Sequence, residues 1–125
     1  MFGKIKWFAV IALAILFMAC DLENGNKGGS QGGDTTPAIP TNVRAVAVSS
    51  TSISVTWNAV SGATSYEVYY ETGSVPITRL TTVTQNSYTH TSLQPNSTYN
   101  YYITSKNNAG TSDYSSRASA TTQSM

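Results

Sequence analysis

The feature that most constrains the fold is a strict alternation of apolar and polar side chains in three short segments. The alternation runs through Ser52 to Trp57, Tyr66 to Glu71 and Tyr99 to Lys106. A period of two residues places every second side chain on the same face of an extended chain, so each segment predicts a β-strand with one buried face. The residues predicted to point inward are Ile53, Val55, Trp57, Tyr66, Val68, Tyr70, Tyr99, Tyr101 and Ile103.

Four weaker β-type runs accompany these segments, at residues 43–48, 79–84, 87–91 and 115–121. Turn-forming residues separate the runs, in Ser61-Gly62, Gly73 to Pro76, Pro95-Asn96 and Asn107 to Gly110. Seven short strands at this spacing, without a helical pattern between them, are typical of an antiparallel sandwich. The sequence therefore predicts an all-β fold, a seven-stranded antiparallel β-sandwich.

The same residues carry a resemblance to a known family. The stretch that begins "PTNVRAVAVSSTSISVTW" resembles a fibronectin type III domain of the bacterial kind, and the resemblance covers about residues 39 to 123. It implies an immunoglobulin-like sandwich with a core tryptophan, a third-strand tyrosine and a leucine, turn proline and tyrosine corner. The residues that match these positions, and that the resemblance implies as structural core, are Trp57, Tyr66, Leu93, Pro95 and Tyr99.

The start of the chain has the layout of an export signal. Lys4 and Lys6 precede an uncharged run of thirteen residues, Trp7 to Ala19. Because about 20 helical residues are needed to cross a bilayer, this run is too short for a comfortable span. Basic residues, an apolar run and a small residue in that order indicate a secretory signal.

The end of that run resembles a bacterial lipoprotein signal, in the sequence Phe17-Met18-Ala19-Cys20. The resemblance implies cleavage before Cys20 and attachment of a diacylglyceryl group to its sulfur, so that the lipid joins the protein to a membrane. The alternative is a secreted protein in which this cysteine has no such role. Asp21 resembles an inner-membrane retention mark of some bacteria, so the choice between cytoplasmic and outer membrane stays open.

A glycine-rich and polar stretch follows Cys20 and has almost no apolar residues to bury. It is interpreted as a flexible tether, which as a random coil of twenty residues would span about 25 Å. The predicted organisation is a signal peptide over residues 1–19, a lipidated cysteine and linker over 20–38, and one domain over 39–124. The predicted location is the bacterial cell envelope, outside the cytoplasm.

Several classes of function are disfavoured by the residues present. The chain has one cysteine and one histidine, so no metal site is predicted. Glu67 and Glu71 would lie roughly 13 Å apart along one strand, too far to act as a glycosidase pair. His90 is interpreted as a partly buried ring near Leu93. We expect no enzymatic activity and no cofactor.

Charge is equally informative about partners. Five of the seven basic residues and all six acidic residues lie from Cys20 onward, and they do not cluster. Nothing in this balance favours binding to nucleic acid.

One surface is a candidate for binding. In the family fold the third and sixth strands are neighbours, and the alternation turns Tyr69 and Tyr102 outward on the same sheet. Glu67 and Asn100 are predicted to join them, with Glu71, Thr104 and Lys106 around them. Flat rings among hydrogen-bonding groups suit a protein or carbohydrate ligand. The alternative is a tyrosine pair that stabilises the sheet and binds nothing.

Three functions are compatible with this reading of the sequence. The first is a lipid-anchored envelope module for protein or glycan interaction and adhesion. The second is a passive spacer or coat protein. The third is an accessory subunit of a polysaccharide-processing system.

Overall fold

Segments rich in β-branched and aromatic residues form eight strands in the part of the chain, residues 35–125, that the computed structural model describes. Every pairing between them is antiparallel. The strands are β1 (Arg44–Ala47), β2 (Ile53–Thr56), β3 (Ser65–Glu71), β4 (Thr78–Val83), β5 (Ser87–His90), β6 (Thr98–Asn107), β7 (Gly110–Thr111) and β8 (Ala118–Thr121).

The strands make two sheets, which confirms the predicted all-β sandwich. One sheet has the order β1-β2-β5, and the other has the order β4-β3-β6, with both β7 and β8 paired to the outer edge of β6. Over residues 35–125 the structure has eight strands where seven were predicted. The additional strand is β7, and of the predicted run over residues 115–121 only the last four residues form a strand, β8.

The predicted inward faces of the three alternating segments meet between the sheets. Ile53, Val55, Val68, Tyr101 and Ile103 are fully buried there. The core residues implied by the family resemblance lie at or beside this cluster: Trp57, Tyr66, Leu93 and Tyr99 are buried and Pro95 is half-buried.

Phenol groups at the edge of the core hold loops in place. Tyr66 packs against Trp57 edge to face, with ring centroids 5.5 Å apart, and its hydroxyl accepts a hydrogen bond from the Val60 amide at 2.8 Å. The Tyr99 hydroxyl accepts one from the Gln94 amide at 3.1 Å. Each ring thus buries apolar area while its oxygen satisfies a loop amide.

A polar contact between a half-buried side chain and a core residue also joins the two sheets. His90 of β5 lies 3.0 Å from the Tyr101 hydroxyl of β6, measured from its Nδ1 atom. The rings of Tyr70, Tyr99 and Tyr101 surround the imidazole, with centroids 5.1 to 5.9 Å away. Burial lowers the pKa of His90 and raises that of Tyr101, so both side chains are held in their neutral forms.

The first described residues are fastened to the β6–β7 hairpin. The Asn107 side-chain amide donates to the Thr35 carbonyl at 2.9 Å, and the Ser105 hydroxyl donates to the Ala38 carbonyl. Pro37 is buried. The end of the predicted tether, residues 35–38, is therefore held against the domain in a defined conformation.

The described part of the chain has no helix long and apolar enough to cross a membrane. The predicted signal peptide, Cys20 and most of the predicted tether lie outside the described residues.

A tight approach at Gly110 yields a first testable expectation. Gly110 has a φ of +150°, and a Cβ atom there would lie 2.7 Å from Thr36 Cγ2. We expect Gly110→Ala to destabilise the domain by about 1 to 3 kcal/mol, the range for a strained backbone conformation. Gly73→Ala is the matched control, since no atom lies within 4 Å of its Cβ position. Urea unfolding of both variants measures the difference; equal midpoints would contradict the expectation.

The half-buried imidazole of His90 yields a second expectation, in the pH dependence of stability. Because burial lowers the pKa of His90 in the folded state, the unfolded chain takes up the proton first as pH falls. The stability that the domain gains from keeping His90 neutral is therefore fully present above the ordinary histidine pKa of about 6.5 and is lost as pH falls below it. His90 is the only histidine of the chain. Between pH 7 and 5 the natural chain should therefore lose more stability than His90→Gln, as followed by urea unfolding at each pH. Parallel losses in the two proteins would show that His90 is not the group responsible.

Candidate functional site

The two predicted surface tyrosines face each other across the middle of the larger sheet. Tyr69 of β3 and Tyr102 of β6 are direct partners in the strand register, and both side chains are half-buried. Neither ring lies on an open surface, because a third aromatic ring packs beside them.

That third ring belongs to Tyr114, in the loop between β7 and β8. Its centroid lies 4.9 Å from that of Tyr69 in an edge-to-face arrangement and 5.9 Å from that of Tyr102. Tyr114 is 47% exposed, so it presents more apolar surface to solvent than its two neighbours. Tyr69, Tyr102 and Tyr114 together are named the tyrosine face.

Two serines fix the loop that carries Tyr114. The Ser112 hydroxyl accepts a hydrogen bond from the Ser105 amide at 3.0 Å, and the Ser115 hydroxyl accepts one from the Ile103 amide at 2.9 Å. Side-chain oxygens thus take the place of the carbonyls of a regular ladder. The amides of Ser112 and Ser115 in turn donate to the Ser105 and Ile103 carbonyls at 2.8 and 2.9 Å, and the Tyr114 ring between them packs against Tyr69.

Sequence analysis did not find Tyr114, because the two-residue period stops before this loop. The available signal is local and consists of one aromatic residue flanked by small hydroxyl residues, in the sequence Ser112-Asp113-Tyr114-Ser115. Serines compete readily with the backbone for hydrogen bonds, so such a stretch indicates an interrupted strand.

A groove opens beside the tyrosine face, with a volume of about 420 Å³. Its lining consists of Tyr69, Thr104, Thr111, Ser112, Asp113 and Tyr114. The Thr104 side chain is 3% exposed, and its hydroxyl makes no hydrogen bond. A buried hydroxyl without a partner is uncommon in folded proteins and calls for a physical reason.

The electrostatics of the groove centre on Tyr69. Burial, followed by the negative charge of Glu67, raises the pKa of the Tyr69 phenol. The nearby Thr104 hydroxyl acts in the opposite direction, although the two groups do not reach hydrogen-bond geometry. The phenol is therefore neutral at physiological pH and offers a donor as well as a ring.

Glu67 differs from expectation. It was predicted to face solvent, and it does lie on the outward side of β3, but it is only 6% exposed. Its carboxylate accepts a hydrogen bond from Arg79 Nη1 at 2.7 Å. The strand register shifts between Val68 and Tyr69, which aligns Arg79 with Tyr69 and brings its guanidinium to Glu67. Because β4 contains an extra residue at this point, Arg79 covers the Glu67 carboxylate and forms an ion pair with it, although the alternation alone predicts that this carboxylate is exposed to solvent.

The remaining predicted contact residues are engaged within the domain. The Tyr102 hydroxyl donates to Glu71 Oε1 at 2.5 Å, and this bond is the main reason why the pKa of Tyr102 is raised. The Ser119 hydroxyl donates to Asn100 Oδ1 at 2.5 Å. Whether Glu67, Asn100, Tyr69 and Tyr102 contact a ligand stays a prediction, and Glu67, Asn100 and Tyr102 each already take part in a side-chain hydrogen bond within the domain.

A second cavity, of about 470 Å³, lies where β4 turns into β5 and contains none of the predicted binding residues. Over residues 35–125 no three histidine, cysteine or carboxylate side chains lie close enough together to hold a metal ion.

Comparisons with known proteins give the family and the relatives of this domain. The sequence model of the fibronectin type III domain matches residues 38–121. The chain is 38% identical over 104 residues to a poly(3-hydroxybutyrate) depolymerase of Ralstonia pickettii, covering 82% of this chain and 20% of that enzyme. It is 34% identical over 93 residues to exoglucanase B of Cellulomonas fimi, covering 70% of this chain and 8% of that enzyme. The chain therefore spans a fifth or less of these relatives.

A solved structure is also similar. An Fn3-like protein from Clostridium thermocellum is 32% identical and superimposes with a TM-score of 0.62, over 68% of this chain and 92% of that one.

The serine bonds beneath the tyrosine face can be tested by mutation. Ser115→Ala removes the acceptor of the buried Ile103 amide, and an unpaired buried amide costs about 1 to 3 kcal/mol. We expect urea unfolding to show a loss of stability in that range. Ser116→Ala, at an exposed neighbouring position, should change stability by less than about 0.5 kcal/mol. Similar losses in both variants would mean that the loop is not fixed by this bond.

Proposed function

This chain belongs to the fibronectin type III family, and on that basis we propose that it is a non-enzymatic module anchored to the bacterial cell envelope by a lipid on Cys20. There the tyrosine face binds a protein or a glycan. The observation that carries the proposal is this face, where three aromatic rings pack together and two of them, Tyr69 and Tyr114, line a groove that also contains the Asp113 side chain.

The arrangement of the rings supports a binding role. A cross-strand pair that only stabilises the sheet needs no third ring, yet Tyr114 reaches the pair from a separate loop. The Tyr114 side chain remains 47% exposed to solvent. Exposed aromatic residues beside hydrogen-bonding groups are typical of recognition surfaces.

The state of the titratable groups supports a non-enzymatic role. The His90 ring is half-buried and hydrogen-bonds with Tyr101. Glu67 is paired with Arg79, and Glu71 accepts a bond from Tyr102. The groups best suited to acid–base chemistry are therefore bound to other side chains rather than directed at a shared point.

The sequence before the domain supports the anchor. One acyl chain gives only marginal membrane binding, whereas the two chains of a diacylglyceryl group hold a protein stably. The glycine-rich residues that follow Cys20 are suited to holding the domain away from the lipid surface.

An accessory role in polymer degradation is a second candidate. It is favoured by the two enzymes in which similar segments occur, one named as a depolymerase and the other as an exoglucanase. In this role the module would hold a polymer near a separate enzyme rather than cleave it. A spacer or coat without a ligand is the third candidate, and it would leave the tyrosine face unused.

The anchor is tested by changing the attachment residue. We expect the natural chain, expressed in a bacterium with a lipoprotein pathway, to incorporate labelled fatty acid and to sediment with membranes. Cys20→Ser should lose both properties, since no other cysteine is present. Ser30→Cys in the Cys20→Ser background is the control, because a cysteine away from the signal should not restore them. Membrane association of Cys20→Ser without label would overturn the proposed anchor.

The binding role is tested on the tyrosine face itself. Changing both Tyr69 and Tyr102 to Ser should abolish partner binding while lowering stability by no more than about 2 kcal/mol, given the energy of cross-strand pairs. Binding of labelled protein to purified matrix proteins and to a glycan array measures the first effect, and urea unfolding measures the second. If binding survives the double change, this face is not the contact surface.

A further inference from the structure

Residues 35–38, named the entry segment, are bonded to the same part of β6 that holds the loop of Tyr114. We propose that the entry segment positions this loop, so that docking of the segment prepares the tyrosine face for a ligand and its release loosens the face. The coupling is a property of the domain itself, whereas its role in regulating binding rests on the proposed function.

The first link is Ser105 of β6, which is fully buried and forms bonds in two directions. Its hydroxyl donates to the Ala38 carbonyl of the entry segment. Its backbone amide donates to the Ser112 hydroxyl at 3.0 Å, and its carbonyl accepts from the Ser112 amide at 2.8 Å. One residue thus joins the entry segment to the start of the loop that carries Tyr114.

The second link is Asn107, at the end of β6. Its side-chain nitrogen donates to the Thr35 carbonyl at 2.9 Å, and its side-chain oxygen accepts from the amides of Ala109 and Gly110 at 2.8 and 3.2 Å. Thr36 also packs over Gly110, where a Cβ atom would lie 2.7 Å from the Thr36 Cγ2 atom. The entry segment and the turn into β7 therefore share the bonds of one side chain.

The entry segment is the part of this arrangement that opens at the lowest cost. Its side chains are exposed apart from the buried ring of Pro37. Segments with few buried side chains open locally at a lower free energy than strands within a ladder. The chain is fixed again from Pro40, which is fully buried, and from Thr41, whose carbonyl accepts from the Asn58 amide at 3.0 Å. Residues 35–38 can therefore leave while the chain that follows stays in place.

Release of the entry segment alters the bonds that hold the loop. The Ser105 hydroxyl loses its acceptor, and a buried hydroxyl without a partner is unfavourable. Water that satisfies this hydroxyl must enter beside the two hydrogen bonds between Ser105 and Ser112. Tyr114 lies two residues farther along the chain, so its ring is held less firmly. By linkage, a ligand that prefers the docked tyrosine face also strengthens the docking of the entry segment.

The test measures amide hydrogen exchange by nuclear magnetic resonance in the full chain, purified in detergent. Pro37→Asp places an unpaired carboxylate at a buried position, so the entry segment should leave. The amides of Ser105 and Ser112 should then exchange about five- to tenfold faster, the equivalent of one hydrogen bond, and the ring resonances of Tyr114 should shift. Ile39→Asp is the matched control, because it adds the same charge at a position that is 44% exposed, and it should change neither property.

Two amides far from the entry segment separate this effect from a general loss of stability. The Leu93 and Thr122 amides are hydrogen-bonded near the start of β6, whereas the entry segment is bonded near its end. Both should exchange at the same rate in Pro37→Asp as in the natural chain, because release of the segment is a local opening.

A further variant assigns the coupling to the Ser105 side chain. Ser105→Ala removes the hydroxyl that joins strand and entry segment, but it keeps the backbone pair with Ser112. Adding Pro37→Asp to this variant should therefore accelerate the exchange of the Ser112 amide by a smaller factor than in the natural chain.

The inference is overturned if Pro37→Asp leaves the amides of the loop at their natural exchange rates, or if it accelerates the two distant amides by the same factor. Binding that is lost on changing Tyr69 and Tyr102, together with unchanged exchange in Pro37→Asp, would overturn this inference and leave the proposed function standing. Faster exchange at the loop, in a chain that binds neither matrix proteins nor glycans, would support the coupling and count against the proposed function.

Discussion

The pairing of β3 with β6 is the constraint on which the rest of this domain depends. Seven consecutive residue pairs, from Ser65 opposite Lys106 to Glu71 opposite Asn100, fix the register of the two strands. Since side chains alternate along both, one register decides at once which residues fill the core and which meet on the outside. Val68 and Ile103 are buried on one side, and Tyr69 and Tyr102 face each other on the opposite side. A slip by one residue would exchange the core and the candidate site.

Regular strand geometry explains how much of this could be predicted from the sequence. The two-residue period and the turn residues were sufficient to predict the inward faces and the all-β sandwich, and the family resemblance implied that Tyr69 and Tyr102 lie on neighbouring strands. The period could not predict Tyr114, whose position depends on two serine side chains replacing ladder carbonyls. It also could not predict the burial of Glu67, because the extra residue in β4 that brings Arg79 to it changes the register without leaving a mark in the alternation.

Tyrosine hydroxyls form several of the hydrogen bonds that hold the loops and sheets of this domain together. Residues 35–125 contain no cysteine. A sandwich of this size buries a limited apolar area and has no disulfide to restrict its unfolded state. Tyr66 and Tyr99 each fasten a loop amide, and Tyr101 joins the sheets through His90. Outside the core the same residue type forms the tyrosine face. Tyrosine thus serves the cohesion of this domain, and in the proposed function it also serves recognition.

The attachment of residues 35–38 to the β6–β7 hairpin has a mechanical consequence. Residues 35–38 are hydrogen-bonded to Asn107 and Ser105 of β6. Only after these bonds does the chain reach β1, at the edge of the smaller sheet. A pull on the N-terminal side is therefore resisted first by β6, the strand with the most partners, and only afterwards by the four-residue edge strand. An edge strand loaded directly would peel away one pair at a time. Here tension in the preceding chain does not reach β1 until the hydrogen bonds between residues 35–38 and β6 have broken.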